Sequence, residues 1–170
     1  GGESTRPGSH PISFEEELRR VLPVVEVLAA KISVPISIDT TKYQVAEECL
    51  RRGAGMINDV SGLSDFRMRR VIARYRVPAV IMHMQGTPAT MQVNPEYRYV
   101  VNDIIGFMEL RTAIARQDGI DQLIIDPGIG FGKRHQHNLI LLARLAEFAA
   151  LGRPLCLGVS RKGFIGKILG

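Results

Sequence analysis

Short apolar runs, each ending in a polar residue, recur along this 170-residue chain. Pro35-Ile-Ser-Ile-Asp39, Gly55-Met-Ile-Asn58, Val77-Pro-Ala-Val-Ile-Met82-His83, Leu123-Ile-Ile-Asp126 and Pro154-Leu-Cys-Leu-Gly158-Val-Ser160 are continuous rather than alternating. That is the pattern of strands buried on both faces of a parallel sheet. The stretches between them carry helical spacing. Ser13, with Glu16 three residues on, fits a capping box opening a helix to about Lys31, in which Pro23 predicts a kink or a second start. Further helices are expected over 42–52 with Gly53 at C′, over about 65–75, from about Pro95 to Gln117 with Gly106 weakening the middle and Gly119 ending it, and over about 138–150. Residues 1–8 have no hydrophobic period and read as a loop.

About five strands alternating with helices make an α/β protein with a parallel sheet. Pattern alone leaves open a doubly wound sheet and a (β/α)₈ barrel. Polar residues at the C-terminal end of every strand favour the barrel, since an open sheet concentrates its site at one switch point. A barrel needs eight strands and about 250 residues. The chain is therefore expected to be one domain over 1–170, an incomplete central part of a barrel truncated at both ends.

Composition narrows the picture. Hydrophobic residues make up 45% and charged residues 23%, ordinary for a soluble domain. No apolar run reaches the roughly 20 residues of a membrane span, so no membrane association and a cytoplasmic location are expected. Cys49 and Cys156 read as reduced core residues. The net charge of +5 comes without a basic stripe interleaved with aromatics, so no nucleic acid is expected; a small anionic substrate accounts for the excess equally well.

The densest chemistry is Asp126-Pro-Gly-Ile-Gly-Phe-Gly-Lys133, a carboxylate leaving a strand into a glycine-rich loop closed by a positive charge. It matches neither a Walker A loop nor GxGxxG. If the strand ends meet at one face, the pocket holds Asp39, Asn58, Asp126, Arg161 and Lys162, with Thr5 and Arg6 on a loop nearby. A carboxylate accepts two parallel N–H bonds from an amidine-like edge, Asn58 donates and accepts, and Lys162 only donates, which suits a ring carbonyl or imine nitrogen on the opposite edge. The set is matched to a flat heterocycle. Met82, Met84 and Phe131 supply a soft floor and wall or are plain core, and any single strand-end aspartate could equally cap a helix. His83 reads as a satisfied core histidine, and His135 and His137 as surface. No HxH, HExxH or CxxC pattern points to a protein-held metal, and no Ser-His-Asp order to nucleophilic hydrolysis.

Gly1-Gly-Glu-Ser-Thr-Arg-Pro-Gly8, Ile38-Asp39-Thr40, Ile57-Asn58-Asp59, Met82-His-Met-Gln-Gly86, the Asp126–Lys133 loop and Ser160-Arg161-Lys162 together resemble the dihydropteroate synthase family of pterin-binding enzymes, in the same order and over nearly the whole chain. The resemblance implies a (β/α)₈ barrel, a homodimer when full length and a sulfonamide target. It implies a transferase that joins p-aminobenzoate to 6-hydroxymethyl-7,8-dihydropterin pyrophosphate in folate synthesis. By position, Asp39, Asn58, Met82, Asp126 and Lys162 would hold the pterin, while Thr5, Arg6, Pro7, Phe131 and Ser160 would serve p-aminobenzoate and the loop over the substrates. Asp39, Lys162 and Arg6 would carry catalysis, which requires stabilising separating charges rather than a protein nucleophile. The family's Mg²⁺ and pyrophosphate ligands, an asparagine on the first strand and an Arg-x-His pair on the last, would lie outside these 170 residues, so the piece alone is expected not to turn over. The alternatives are a pterin-binding module of the corrinoid methyltransferase type and an inactive fragment.

Overall fold

The computed structural model describes residues 2–6 and 8–169, with side chains as far as Gly166. Four short strands, β1 (Ser37–Asp39), β2 (Met56–Asp59), β3 (Ala79–Met82) and β4 (Leu123–Asp126), form one parallel sheet in the order β1-β2-β3-β4. Helices α1 (Phe14–Lys31), α2 (Tyr43–Arg51), α3 (Phe66–Tyr75), α4 (Val100–Gln117), α5 (His135–Ala143) and α6 (Gly163–Leu169) precede, separate and follow them, with a 3₁₀ segment at Leu145–Leu151. Consecutive strands are spatial neighbours throughout, so the described sheet has no point at which strand order reverses. That is barrel order, and it excludes the doubly wound arrangement for these strands. Register pairs Asp39 with Asn58 and Met82 with Asp126, which brings the polar strand ends to one rim.

The fifth predicted strand is reduced to a single parallel bridge between Ile125 and Leu155. It takes the next place beside β4, where the Cys156 N–H donates to the Ile125 carbonyl at 2.8 Å, but Cys156 to Ser160 lie exposed or half-exposed and form no further strand pairing among the described residues. Cys156 is accordingly exposed, contrary to its expected core place, whereas Cys49 is fully buried.

Helix boundaries follow local capping. Ser13 accepts the Glu16 N–H at 3.2 Å, but the Glu16 carboxylate turns to Arg19 and Arg20, so only half of the expected capping box forms. Pro23 is carried inside one 18-residue helix. α4 starts at Val100 rather than Pro95, because the Asp103 carboxylate reaches back to the N–H groups of Arg98 and Tyr99 at 2.9 and 3.1 Å and fixes the first turn there. α5 begins earlier than expected, at His135, where His137 Nδ1 reaches back to accept the Arg134 N–H at 3.2 Å. Both faces of the sheet are filled by apolar side chains, with Ile57, Ile81, Ile125, Met68, Ile104 and Met108 fully buried.

Gly106 lies in α4 with open space where a Cβ would stand. Gly106→Ala is expected to raise stability by about 0.5–1 kcal/mol through the lost backbone freedom of glycine in a helix, measurable by denaturant unfolding.

Candidate functional site

The loop after β4 is shaped by close backbone approach. Gly128 has φ +70°, and a Cβ there would lie 1.9 Å from the His83 carbonyl oxygen at the end of β3. Gly132, at φ +59°, would place a Cβ 2.5 Å from the Gln85 carbonyl oxygen. The two glycines let the loop fold back against the segment following β3. Asp126 heads this turn, 8% exposed, with Oδ1 accepting the Gly128 N–H at 2.7 Å. Burial pushes its carboxyl up, and the loop N–H together with Lys133 and Lys162 act the other way.

Lys133 is the group that sequence reasoning underrated. The sequence presents it as a charge closing the loop, whereas it is 3% exposed and folded inward, 3.0 Å from His83 Nδ1, 3.2 Å from the His83 carbonyl and 2.8 Å from the Phe131 carbonyl. An ammonium has three protons to donate and these are three acceptors, so the geometry asks for the charged amine and a neutral His83 protonated on Nε2. Burial nevertheless draws Lys133 down to about 7. Only the glycine-rich context of Lys133 hinted that the chain there could turn back on itself.

His83 is a buried, satisfied histidine as expected, edge-on to Phe107 at 4.9 Å. Burial, with the Lys133 charge adding to it, lowers its pKa from 6.5 to about 3. The unfolded chain therefore takes up a proton between pH 6.5 and 3 that the folded chain refuses, and stability falls as pH falls through that window. His83→Gln is expected to flatten that part of the acid loss, checked by thermal unfolding across the same range.

A cleft of about 750 Å³ opens beside this loop. Thr5, Arg6, Phe131, Ser160 and Lys162 line it together, as do Lys133, His135 and Arg161, and among the described residues no acidic side chain does. The cleft is therefore built for an anion. Lys162 Nζ stands 4.1 Å over the Phe131 ring, and its stem passes Gly130 so closely that a Cβ there would meet Cδ at 2.9 Å. Arg161 sits in the left-handed region at φ +53°, a strained position at the turn that delivers Lys162. His135 and His137, read as surface, both lie in the first turn of α5, His135 exposed against Phe164 and His137 half-buried against Tyr97.

Asp39, Asn58 and Met82 do not line the cleft. They stand along the strand ends: Asp39 beside Asn58 across the β1–β2 register, Met82 beside Asp126 across β3–β4, and Met84 half-buried just beyond. Burial is the main cause that raises the Asp39 carboxyl. Pro7 lies outside the described residues.

One relation joins the strand ends to the cleft. Asp126 and Lys162 sense each other's charge, and burial pulls Lys162 down while Asp126 opposes it. Yet among the described residues no ion pair or hydrogen bond closes between them. A carboxylate and an ammonium held near each other without contact present an acceptor and a donor to whatever lies between them. Among the described residues no group of three His, Cys, Asp or Glu could hold a metal ion.

The pterin binding enzyme family matches residues 1–170. The dihydropteroate synthase of Escherichia coli K12 is 47% identical over 171 residues, covering 99% of this chain and 61% of that protein. A Yersinia pestis dihydropteroate synthase with a sulfonamide drug complex superposes with a TM-score of 0.97 at 43% identity, over 99% of this chain and 62% of that one. The Thermus thermophilus enzyme, 48% identical, matches in complex with 4-aminobenzoate (TM-score 0.95, 100% of this chain, 65% of that one) and with 6HMPPP (0.87, 92% and 62%). The chain thus spans about three fifths of the length of these relatives, as a four-stranded part of the barrel. The chain belongs to the pterin binding enzyme family.

Proposed function

We propose that this chain is the pterin- and arylamine-holding part of a dihydropteroate synthase, which joins p-aminobenzoate to 6-hydroxymethyl-7,8-dihydropterin pyrophosphate and releases pyrophosphate. The observation that carries the reading is the unjoined Asp126 and Lys162 at the boundary between the polar strand ends and an acid-free cleft. Asp126 accepts from the amino-pyrimidine edge of the pterin, Lys162 donates to its opposite edge, and Asn58 and Asp39 complete the polar rim. Met82 is the apolar contact beside Asp126.

The aryl acid then occupies the cleft, its ring alongside Phe131 and its carboxylate toward Ser160 and the basic side chains. The carbon that bears the leaving group develops positive charge as the pyrophosphate oxygen departs with its electron pair. Asp39 and Asp126 favour that charge and Arg6 the leaving anion. The neutral amine attacks the carbon that has lost its C–O bond, and the proton of the resulting ammonium passes to the departed pyrophosphate or to water. Mg²⁺ belongs to the proposal only as an ion accompanying pyrophosphate, since the described residues offer no ligand set for it, and no step is assigned to it. No described helix is long and apolar enough to cross a membrane; a cytoplasmic location and a homodimer are part of the same proposal.

Calorimetric titration tests the reading. Pterin pyrophosphate is expected to bind, and p-aminobenzoate to bind in its presence. Pterin binding without arylamine binding would mark a binding module, and binding of neither would overturn the proposal.

A further inference from the structure

Glu3 occupies the root of the loop that brings Thr5 and Arg6 to the cleft. Its Oε1 accepts the Ile12 N–H at 2.8 Å and lies 2.9 Å from the Lys42 ammonium. The same ammonium is 2.8 Å from Oε2 of Glu17, a fully buried carboxylate on α1 whose other oxygen has no partner among the described residues. The backbone is fixed at the same point: Arg20 donates to the Gly2 carbonyl at 2.9 Å, and a Cβ on Gly2 would press on the Glu17 carbonyl at 2.9 Å. One carboxylate therefore closes both ends of the span from residue 4 to residue 11.

Between those ends the span is held lightly. Among the described residues its hydrogen bonds are internal, Ser9 Oγ to the Ser4 carbonyl at 2.7 Å, the Ser9 N–H to the Arg6 carbonyl at 3.1 Å and the Arg6 N–H to Ser4 Oγ at 3.3 Å, apart from one long bond from the Gly8 N–H to the Pro88 carbonyl at 3.3 Å. A loop with fixed ends and a loose middle has its reach set by its anchor, because closure removes most of its conformational freedom at the root. The anchor is itself rigid. Lys42 cannot leave without abandoning a buried carboxylate, a strongly unfavourable state.

We propose that Glu3, clamped by Lys42 and Glu17, is a positioning residue that sets where Thr5 and Arg6 meet the aryl-acid substrate, while the pterin ring depends on Asp39, Asn58, Met82, Asp126 and Lys162, none of which the clasp holds. This rests on the reading of the cleft as the p-aminobenzoate end. Glu3 does not line the cleft, so its effect is indirect and runs through Thr5 and Arg6, not through the side chains around the pterin ring. Lys42→Met would strand Glu17 and could fail to fold; Glu3→Ala removes the clasp and leaves the Lys42–Glu17 pair intact.

In Glu3→Ala the dissociation constant for p-aminobenzoate, measured with pterin pyrophosphate present, is expected to rise about tenfold, the order of one lost charge-assisted hydrogen bond. Affinity for 6-hydroxymethyl-7,8-dihydropterin, which carries no pyrophosphate for Arg6 to meet, should stay within about twofold, a change too small to register as a lost bond. Glu3→Gln, which keeps an acceptor for the Ile12 N–H, should fall between. Amide hydrogen exchange at Ile12 and across Thr5 to Ser9 should quicken, with no change in the sheet. Equal weakening of both ligands, or unchanged exchange in the loop, overturns the inference. A parent protein that binds no p-aminobenzoate overturns the functional reading and the inference with it, whereas unchanged exchange in the variant overturns the inference alone.

Discussion

Asp126→Asn is expected to weaken pterin binding by about 3 kcal/mol, roughly a hundredfold, while the protein stays folded. The substitution keeps an oxygen for the Gly128 N–H, which the carboxylate now accepts at 2.7 Å, so the turn after β4 retains its local bond. What it removes is the charge and the second acceptor that a paired N–H edge requires. Relief of a buried carboxylate offsets part of the stability lost with its attraction to Lys133 and Lys162. The net change in stability is therefore expected to stay within about 1 kcal/mol. Titration of pterin pyrophosphate into both proteins, beside their thermal unfolding, separates the two effects. If Asp126 were only a helix-cap or turn residue, affinity would hold and stability alone would move.

Gly128→Ala is expected to produce the largest loss of stability among single substitutions in the loop, about 3 kcal/mol or more. Two causes add. The position has φ +70°, which costs an L-residue about 1–2 kcal/mol. The new methyl would also lie 1.9 Å from the His83 carbonyl oxygen, a backbone atom that cannot swing aside. Relaxing that overlap must push β3 and the loop apart, and the same movement takes Lys133 from its acceptors on His83 and Phe131. Gly119→Ala is the control: φ is +86° but nothing lies within 4 Å of its Cβ, so only the backbone cost of about 1–2 kcal/mol should appear. Equal losses in the two variants, read by urea unfolding, would show that close packing of the loop on β3 contributes nothing.

The strand ends were legible because two signals coincide at them. A run such as Leu123-Ile-Ile needs burial on both faces, and a carboxylate directly after it must stand where the strand leaves the core. Asp39, Asn58 and Asp126 were placed on that basis, and the sheet puts them at one rim. Lys133 was not legible, because a lysine after three glycines gives no sign of which way the chain turns; its burial depends on contacts with His83, fifty residues earlier. Glu17 did carry a signal. It falls in phase with Val21 and Val25 on the buried stripe of α1, and a carboxylate in an apolar phase demands a cation, which Lys42 supplies. The strand near Leu155 shortens to one bridge, since an apolar run specifies burial only when neighbours are there to cover it, and among the described residues this segment meets one strand edge, with Leu157 alone packed against the core.

The central claim is that Asp126 and Lys162 are held apart to take the two edges of one pterin ring, with the aryl-acid cleft alongside. A crystal structure of the protein with pterin pyrophosphate and p-aminobenzoate tests it directly. The predicted result is an amino-pyrimidine edge on the Asp126 carboxylate, the opposite edge on Lys162 Nζ, and the arylamine against Phe131. A pterin bound elsewhere, with Asp126 and Lys162 closed on each other as an ion pair, would contradict it.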